Sequence, residues 1–265
     1  MYDKVLTNGV DYYIDGYTNN DKVGTASAKI VGMGKYSGSK SFTYKILPKP
    51  YKVTFNENGG QAVSDKDVGY GAAAGTLPTP TRTGYTFAGW YTAASGGSKI
   101  TSSTQVTEAV TCYAHWTIKN YSVAFNSNGG GSVAGRSVQH GANIGSLSTP
   151  TRTGYTFAGW YTSSYGGSRI SAYSKVYGAA TVHAHWTAKK YALKLNVNGG
   201  KKLKASKAKK TVTYAGKYGS LTKPTKKGYK FKGWYTKKSG GSKITSGSTV
   251  TILKSTTLYA HWKKK

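Results

Sequence analysis

Acidic residues are scarce in this sequence, and its second half has none. The 265 residues include 8 Asp and Glu against 38 Lys and Arg, and no acidic residue follows Glu108. Hydrolysis by paired carboxylates and calcium binding by oxygen ligands are therefore excluded beyond that residue. The sequence predicts no catalytic residue, no metal site and no cofactor, so we expect a protein that is not an enzyme.

Cysteine pairs, long apolar runs and a secretion signal are missing as well. The single cysteine, Cys112, can form no intramolecular disulfide, and we expect it to be a small buried core residue. No run of eighteen apolar residues is present, so the sequence predicts no membrane span. The opening residues, MYDKVLTNGVDYY, lack the apolar segment of a signal peptide. Either the protein is cytoplasmic or this chain is part of a longer exported one.

What the sequence does have is repetition. The block TPTRTGYTFAGWYT at residues 79–92 returns unchanged at 149–162 and as KPTKKGYKFKGWYT at 223–236. Strand-like runs that open the units begin at Tyr51, Tyr121 and Tyr191. A period of about 70 residues suits a small domain better than a solenoid unit. We therefore predict three tandem domains.

The composition and the local pattern favour strands. The chain has 23 Tyr and 6 Trp, which with Thr and Val are typical of half-buried strands. Tyr51, Val53 and Phe55 alternate with polar residues, as in a strand with one face in water. Gly89 before the signature tryptophan predicts a β-bulge. Glycines limit residues 72–77 to one helical turn at most.

The aromatic residues of the signature block divide into core and surface. A domain of this size with little Leu and Ile needs its aromatic residues for the core, so we expect Phe87 and Trp90 to be buried. Their neighbour in extended chain then faces outward, because successive side chains of a strand point to opposite faces. The candidate contact aromatics are Tyr91, Tyr161 and Tyr235.

Residues 1–50 do not match the repeats. Strand-like runs cover residues 11–17, 26–32 and 40–46. The segments GVDYYIDGYTNN and SKSFTYKI resemble the second half of a bacterial immunoglobulin-like surface module, which needs about seven strands. The resemblance implies that 1–50 is a partial module that ends in a stiff Pro-containing linker. Its open edge makes another protein chain a candidate partner.

The repeats carry motifs specific enough to identify a family. YxVxFNxNGG, PTRTGYTFAGWYT and a final YAHW resemble the internalin-type B-repeat, or Listeria-Bacteroides repeat, of Gram-positive surface proteins. The resemblance implies a mainly β fold of β-grasp-like small domains in tandem, forming an elongated multi-domain rod. It also implies a secreted or wall-attached parent, and hence an extracellular location at the cell surface or in the cell wall. We expect domains at residues 51–118, 119–188 and 189–265.

Positive charge is concentrated in the last repeat. Residues 191–265 hold 20 basic residues and no acidic one, whereas the net charge is +3, +1 and +6 for residues 1–50, 51–120 and 121–190. Such a field favours an anionic partner, and lysine point charges favour a repeating polyanion recognised by charge density. The candidate polyanion-binding residues are Lys201, Lys202, Lys204, Lys207, Lys209, Lys210, Lys226, Lys227, Lys230, Lys232, Lys237, Lys238, Lys263, Lys264 and Lys265.

These observations predict a non-enzymatic surface module that acts as a stalk or adhesin. Its last repeat would bind teichoic acid, glycosaminoglycan or lipid headgroups. Two alternatives stay open. A net charge of +30 with many tyrosines also suits a nucleic-acid-binding protein, although none of the four arginines lies in the most basic repeat. The chain is alternatively the targeting tail of a larger extracellular enzyme.

Overall fold

A computed structural model of the chain describes residues 4–265, which form eighteen β-strands and one short 3-10 helix. Residues 1–3, the first of the predicted amino-terminal module, lie outside the described residues. The strands assemble into one sheet of three strands before the repeats and one sheet of five strands in each repeat. The prediction of a mainly β fold made of small tandem units is confirmed.

The amino-terminal sheet is antiparallel, with β2 between β1 and β3. Its strands are β1 (Tyr12–Thr18), β2 (Gly24–Gly32) and β3 (Ser39–Ile46). All three strand-like runs of the sequence are therefore strands, with ends that shift by at most two residues. Ala26 and Ala28 of the central strand are buried, while most other side chains of this sheet are partly or fully exposed.

Each repeat builds the same five strands in the same order. The first repeat contains β4 (Pro50–Asn56), β5 (Lys66–Gly69), β6 (Tyr85–Tyr91), β7 (Lys99–Ile100) and β8 (Val110–Ile118). The second contains β9 (Asn120–Asn126), β10 (Arg136–Gln139), β11 (Tyr155–Tyr161), β12 (Arg169–Ile170) and β13 (Ala180–Ala188). The third contains β14 (Lys190–Asn196), β15 (Lys209–Thr213), β16 (Tyr229–Tyr235), β17 (Lys243–Ile244) and β18 (Thr256–Lys264).

The strand order makes each repeat β-grasp-like. Across the third sheet the order is β15-β14-β18-β16-β17, and the other two repeats match it strand for strand. The first and last strands of each repeat lie side by side at the centre and run parallel, whereas all other neighbours are antiparallel. The connection from the second strand of each repeat to the third must therefore cross over the two central strands, and it covers one face of the sheet.

A buried tryptophan organises the core on that covered face. Trp90 is 1% exposed, and its indole N–H donates to the backbone carbonyl of Pro78 at 2.7 Å. Trp160 and Trp234 repeat the arrangement with the carbonyls of Ser148 and Thr222. The crossing connection thus binds the tryptophan that packs beneath it.

Of the other core predictions, that for Cys112 is confirmed, whereas Phe87 is half-buried and packs against the core. Phe87 packs edge-on between Trp90 and Trp116, with ring centroids 5.4 and 5.5 Å away. Cys112 is fully buried, and burial raises the pKa of its thiol. The strand β6 shifts register between Phe87 and Gly89, which is the bulge that the sequence predicted.

The possible helical turn at residues 72–77 is not a helix. Ala73 instead forms an isolated antiparallel bridge with Gln105, and the backbone amides of Ala74 and Gly75 donate to the carbonyls of Thr104 and Ser102. Glycine at 71 and 75 adopts positive φ, which ends any helical run before one turn is complete. The 3-10 helix lies elsewhere, at Ala205–Lys207 in the lysine-rich loop between β14 and β15.

Candidate polyanion-binding face

The sheet of the third repeat has one face against the core and one face toward solvent. On β18, Leu258 and Ala260 are buried, whereas Lys263 on the opposite face is exposed. On β16, Trp234 is buried and Lys230 is exposed. The two-residue period of a strand therefore gathers lysines on the side away from the tryptophan. We call this side the outer face.

Six lysines lie on the outer face or at the bulge that borders it. Lys230 stands directly opposite Lys263, and Lys194 stands directly opposite Lys209. Lys243 on β17 is paired with Tyr235, and Lys232 occupies the bulge of β16. Side chains that face each other across antiparallel strands have Cβ atoms about 4.5–5.5 Å apart, and like charges there repel. The repulsion between these lysines therefore opposes the stability of the third sheet.

The carboxyl-terminal part of this surface is concave. A depression of about 570 Å³ is lined by Lys230, Lys232, Lys243 and Lys263, together with the chain end at Lys264 and Lys265. An adjoining depression of about 590 Å³ shares three of these lysines and adds Lys223. A concave surface lined by one sign of charge concentrates the field and attracts counter-ions.

The other repeats carry the same backbone without this charge. At the six positions the first repeat has Thr54, Asp65, Thr86, Ala88, Lys99 and Thr117. The second repeat has Ala124, Gly135, Thr156, Ala158, Arg169 and Thr187. One lysine and one aspartate cancel in the first repeat, one arginine gives +1 in the second, and six lysines give +6 in the third. The strand pairings are the same, because Thr86 faces Thr117 just as Lys230 faces Lys263.

The predicted lysines fall into distinct places. Lys209, Lys230, Lys232 and Lys263 belong to the outer face. The remaining exposed ones lie in loops or at the chain end, and they are Lys201, Lys202, Lys204, Lys207, Lys227, Lys237, Lys238, Lys264 and Lys265.

Two of the predicted lysines are engaged inside the repeat. The Nζ of Lys210 donates to the backbone carbonyls of Tyr218 at 2.7 Å and Ser220 at 3.0 Å. Lys66 and Arg136 make the same pair of bonds in the other repeats, so this cation is part of the scaffold. Lys226 lies 4.4 Å from the ring centroid of Tyr229 and is half-buried.

Two outer-face lysines were absent from the sequence prediction. Lys194 and Lys243 are single lysines within short strands, and neither belongs to a lysine cluster in the sequence. The alternation of inward and outward residues along the strand could have identified Lys194. Since Leu193 and Leu195 are both buried, the residue between them must face outward.

The three predicted contact tyrosines lie outside the core and are half-buried. Each ring stacks on a histidine of the last strand, as Tyr235 does on His261, with centroids 3.9 Å apart and planes 9° from parallel. The histidine Nε2–H donates to the carbonyl of Lys237 at 2.9 Å. Tyr91 and Tyr161 make matching stacks with His115 and His185. One side of each tyrosine ring is thus covered by a histidine.

Two further observations bear on the kind of site. Across residues 4–265 no three His, Cys, Asp or Glu side chains are grouped so as to hold a metal ion. None of the described helical structure is long and apolar enough to cross a membrane.

Comparison with known proteins gives one family. The Listeria-Bacteroides repeat domain matches residues 51–115, 121–185 and 191–261. The chain is 31% identical over 221 residues to a protein of Evansella cellulosilytica described as a Gly-rich membrane protein, with 80% of this chain and 24% of that protein aligned. It is 33% identical over 146 residues to internalin H of Listeria monocytogenes, with 51% of this chain and 26% of internalin H aligned. The chain spans about a quarter of the length of these relatives.

Proposed function

Since the chain belongs to the Listeria-Bacteroides repeat family, with three tandem copies, we propose that it is a non-enzymatic module of a cell-surface or secreted protein. In this proposal the first two repeats act as a stalk, and the outer face of the third repeat binds an anionic polymer. The bound polymer is an anionic polysaccharide or teichoic acid of a cell wall or host surface. Internalin H and the membrane proteins among the relatives support a location at the cell surface.

The observation that carries the proposal is the six-lysine outer face. It has a net charge of +6 on a scaffold whose two sister copies carry 0 and +1 at the same positions. Two pairs of lysines face each other directly across strands, which costs stability in the free protein. An anion that bridges such a pair removes that repulsion, so the arrangement favours the bound state.

Lysine rather than arginine suits a polymer recognised by charge density. An ammonium group is a compact point charge that rotates freely, whereas bidentate recognition of bases or single phosphates favours arginine. The third repeat contains 20 lysines and no arginine. This composition favours a surface polyanion, rather than a nucleic acid, as the ligand. It favours a site that binds by charge density over one that recognises a base sequence.

The proposal is tested with a face variant, Lys230→Thr, Lys232→Ala and Lys263→Thr. These are the residues of the first two repeats at the same strand positions, so the fold has already accommodated them. A loop variant, Lys201→Gln, Lys202→Gln and Lys204→Gln, removes the same charge from another place and serves as control. Binding of the full chain and both variants is measured across a salt series against teichoic acid, heparin, anionic vesicles and duplex DNA.

The face variant is expected to bind about 100-fold more weakly at low salt, because each lysine near an anionic surface contributes about 1 kcal/mol. Its salt dependence should also be shallower, since fewer counter-ions are released. The loop variant should lose less than about tenfold in affinity. Equal losses in the two variants would show that total charge, not the face, determines binding. Preference for duplex DNA over the other three probes would favour the nucleic-acid alternative.

A further inference from the structure

The second repeat carries exposed tyrosines that the other repeats lack. Tyr165, Tyr173 and Tyr177 are 94%, 81% and 64% exposed. The first repeat has Ser95, Ser103 and Thr107 at these positions, and the third repeat has Ser239, Gly247 and Thr251. None of the three tyrosines is needed by the scaffold, because both sister copies fold with small residues at these positions. Exposed aromatic side chains on such a scaffold point to a contact surface.

One of these tyrosines borders a groove that is larger than its counterpart in the first repeat. The groove has a volume of about 330 Å³, and Tyr177 to Ala180 form one side of it. The corresponding groove of the first repeat measures about 130 Å³. The difference follows from the sequence, since Gly178 and Ala180 replace the larger Glu108 and Val110. A volume above about 300 Å³ is within the range of ligand-binding clefts.

The ring of Tyr177 is supported from behind. The ring centroid of His140 lies 5.3 Å from it in an edge-to-face arrangement, and the ring centroids of His140 and Tyr121 are 5.9 Å apart. A fixed aromatic ring loses little conformational freedom when a ligand stacks on it. Tyr177 is thus a pre-positioned platform at the groove edge.

The groove has the chemistry of a carbohydrate site. Its floor is apolar, with Val123, Ile144 and Val182 buried beneath it. Hydroxyls of Thr162 and Ser174 border it, and each oxygen accepts a backbone N–H at 3.0 Å, which leaves the hydroxyl hydrogen to donate. Sugar rings match this combination, because they have apolar faces that stack on aromatic rings and a rim of hydroxyls.

The charge of the groove favours a neutral ligand. Lys175 is the one lining residue with a formal charge, and the second repeat has no acidic residue to bind a cation. An anionic ligand meets far more lysines on the third repeat. We infer that the Tyr177 groove of the second repeat binds a neutral carbohydrate chain, as a site separate from the polyanion-binding face.

The test uses the full chain, labelled with ¹⁵N, and neutral hexasaccharides of glucose, mannose and N-acetylglucosamine as probes. At millimolar concentration one of them should shift the amide signals of Tyr177, Gly178, Ala179 and Ala180, and added salt should leave the affinity unchanged. Tyr177→Thr, the residue of both sister repeats, should weaken binding about tenfold. Tyr165→Ser removes an equally exposed tyrosine that does not line the groove and should leave the affinity unchanged.

Three outcomes would overturn the inference. No neutral hexasaccharide shifts these amides, or Tyr165→Ser weakens binding as much as Tyr177→Thr does. The third outcome is that a proline-rich peptide, added as a further probe, shifts them while the sugars do not. The polyanion proposal is independent of all three, because the face variant leaves the second repeat unchanged.

Discussion

The first and third repeats have one sheet topology and outer surfaces of different charge. In the first, Asp65 accepts the backbone N–H of Phe55 at 3.0 Å and pairs with Lys52 at 3.1 Å, so acid and base alternate across the face. In the third, the position of Asp65 holds Lys209, which faces Lys194. The comparison teaches that the outward positions of this sheet are free to change sign while the inward ones are not.

The residues that all three repeats share explain why the scaffold persists. Each repeat keeps its core tryptophan, its stacked histidine and an asparagine with positive φ after the first strand, such as Asn198 at 45°. The Nδ2 of Asn198 donates to the carbonyl of Ala260 at 3.0 Å and ties the first turn to the last strand. Surface charge is therefore added to a frame whose stability comes from other residues.

The largest expected effect is on this shared frame. Asn198→Ala should destabilise the third repeat by about 2–3 kcal/mol, because it loses a part-buried hydrogen bond and puts alanine at positive φ. Asn198→Gly should cost less, about 1 kcal/mol, since glycine accepts that backbone conformation. Hydrogen exchange of third-repeat peptides measures both. Asn128→Ala is the matched variant in the second repeat, and a much smaller effect there would mean that the frame is not shared energetically.

A second prediction moves the charge to another copy of the scaffold. In the face variant, Thr156→Lys, Ala158→Lys and Thr187→Lys restore the net charge of +30 on the second repeat. Heparin affinity at low salt should rise about tenfold, which is part of the lost affinity, because the second repeat has no counterparts of Lys194 and Lys209. The same three lysines placed in the amino-terminal sheet are the control. Equal recovery from both placements would mean that the repeat scaffold is irrelevant to binding.

The smallest expected effect is a pH dependence specific to the first repeat. The hydrogen bond from Phe55, and then Lys52, lower the pKa of Asp65 below its ordinary value of 3.8. A lowered folded-state pKa stabilises the repeat above the unfolded value, and the contribution is lost as pH falls through the folded pKa. Protection of the Phe55 amide from hydrogen exchange should therefore fall below about pH 4. In Asp65→Asn this pH dependence should disappear, and its persistence would assign it to another group.

The sequence predicted the fold well because local and global signals agree. The alternation of apolar and polar residues predicted the strands, and Gly89 predicted the bulge. The scarcity of Leu and Ile predicted that Trp90 lies in the core. The short helical turn at 72–77 was wrong because the segment bridges to residue 105, a contact that no local pattern reveals.

The candidate site was predicted only in part. Clusters of lysine are visible in the sequence, but a face assembled from strands distant in the chain is not. Lys194 and Lys243 were therefore missed. Lys210 was included among the polyanion-binding candidates, although its ammonium group binds backbone carbonyls of its own repeat. The sequence could have indicated this structural role, because a basic residue occupies the same position in all three repeats. The Tyr177 groove depends on the small size of residues 178–180, which matters only after the sheet is formed.

The central claim is that the outer face, not the lysine-rich loop, contacts the polyanion. It is tested most directly by acetylating the lysines of the native chain with and without heparin, and by measuring each lysine's reactivity by mass spectrometry. The account predicts that Lys230, Lys232, Lys243 and Lys263 lose reactivity severalfold, while Lys201 and Lys202 of the lysine-rich loop keep theirs. Protection of the loop lysines with the face lysines left reactive would contradict it.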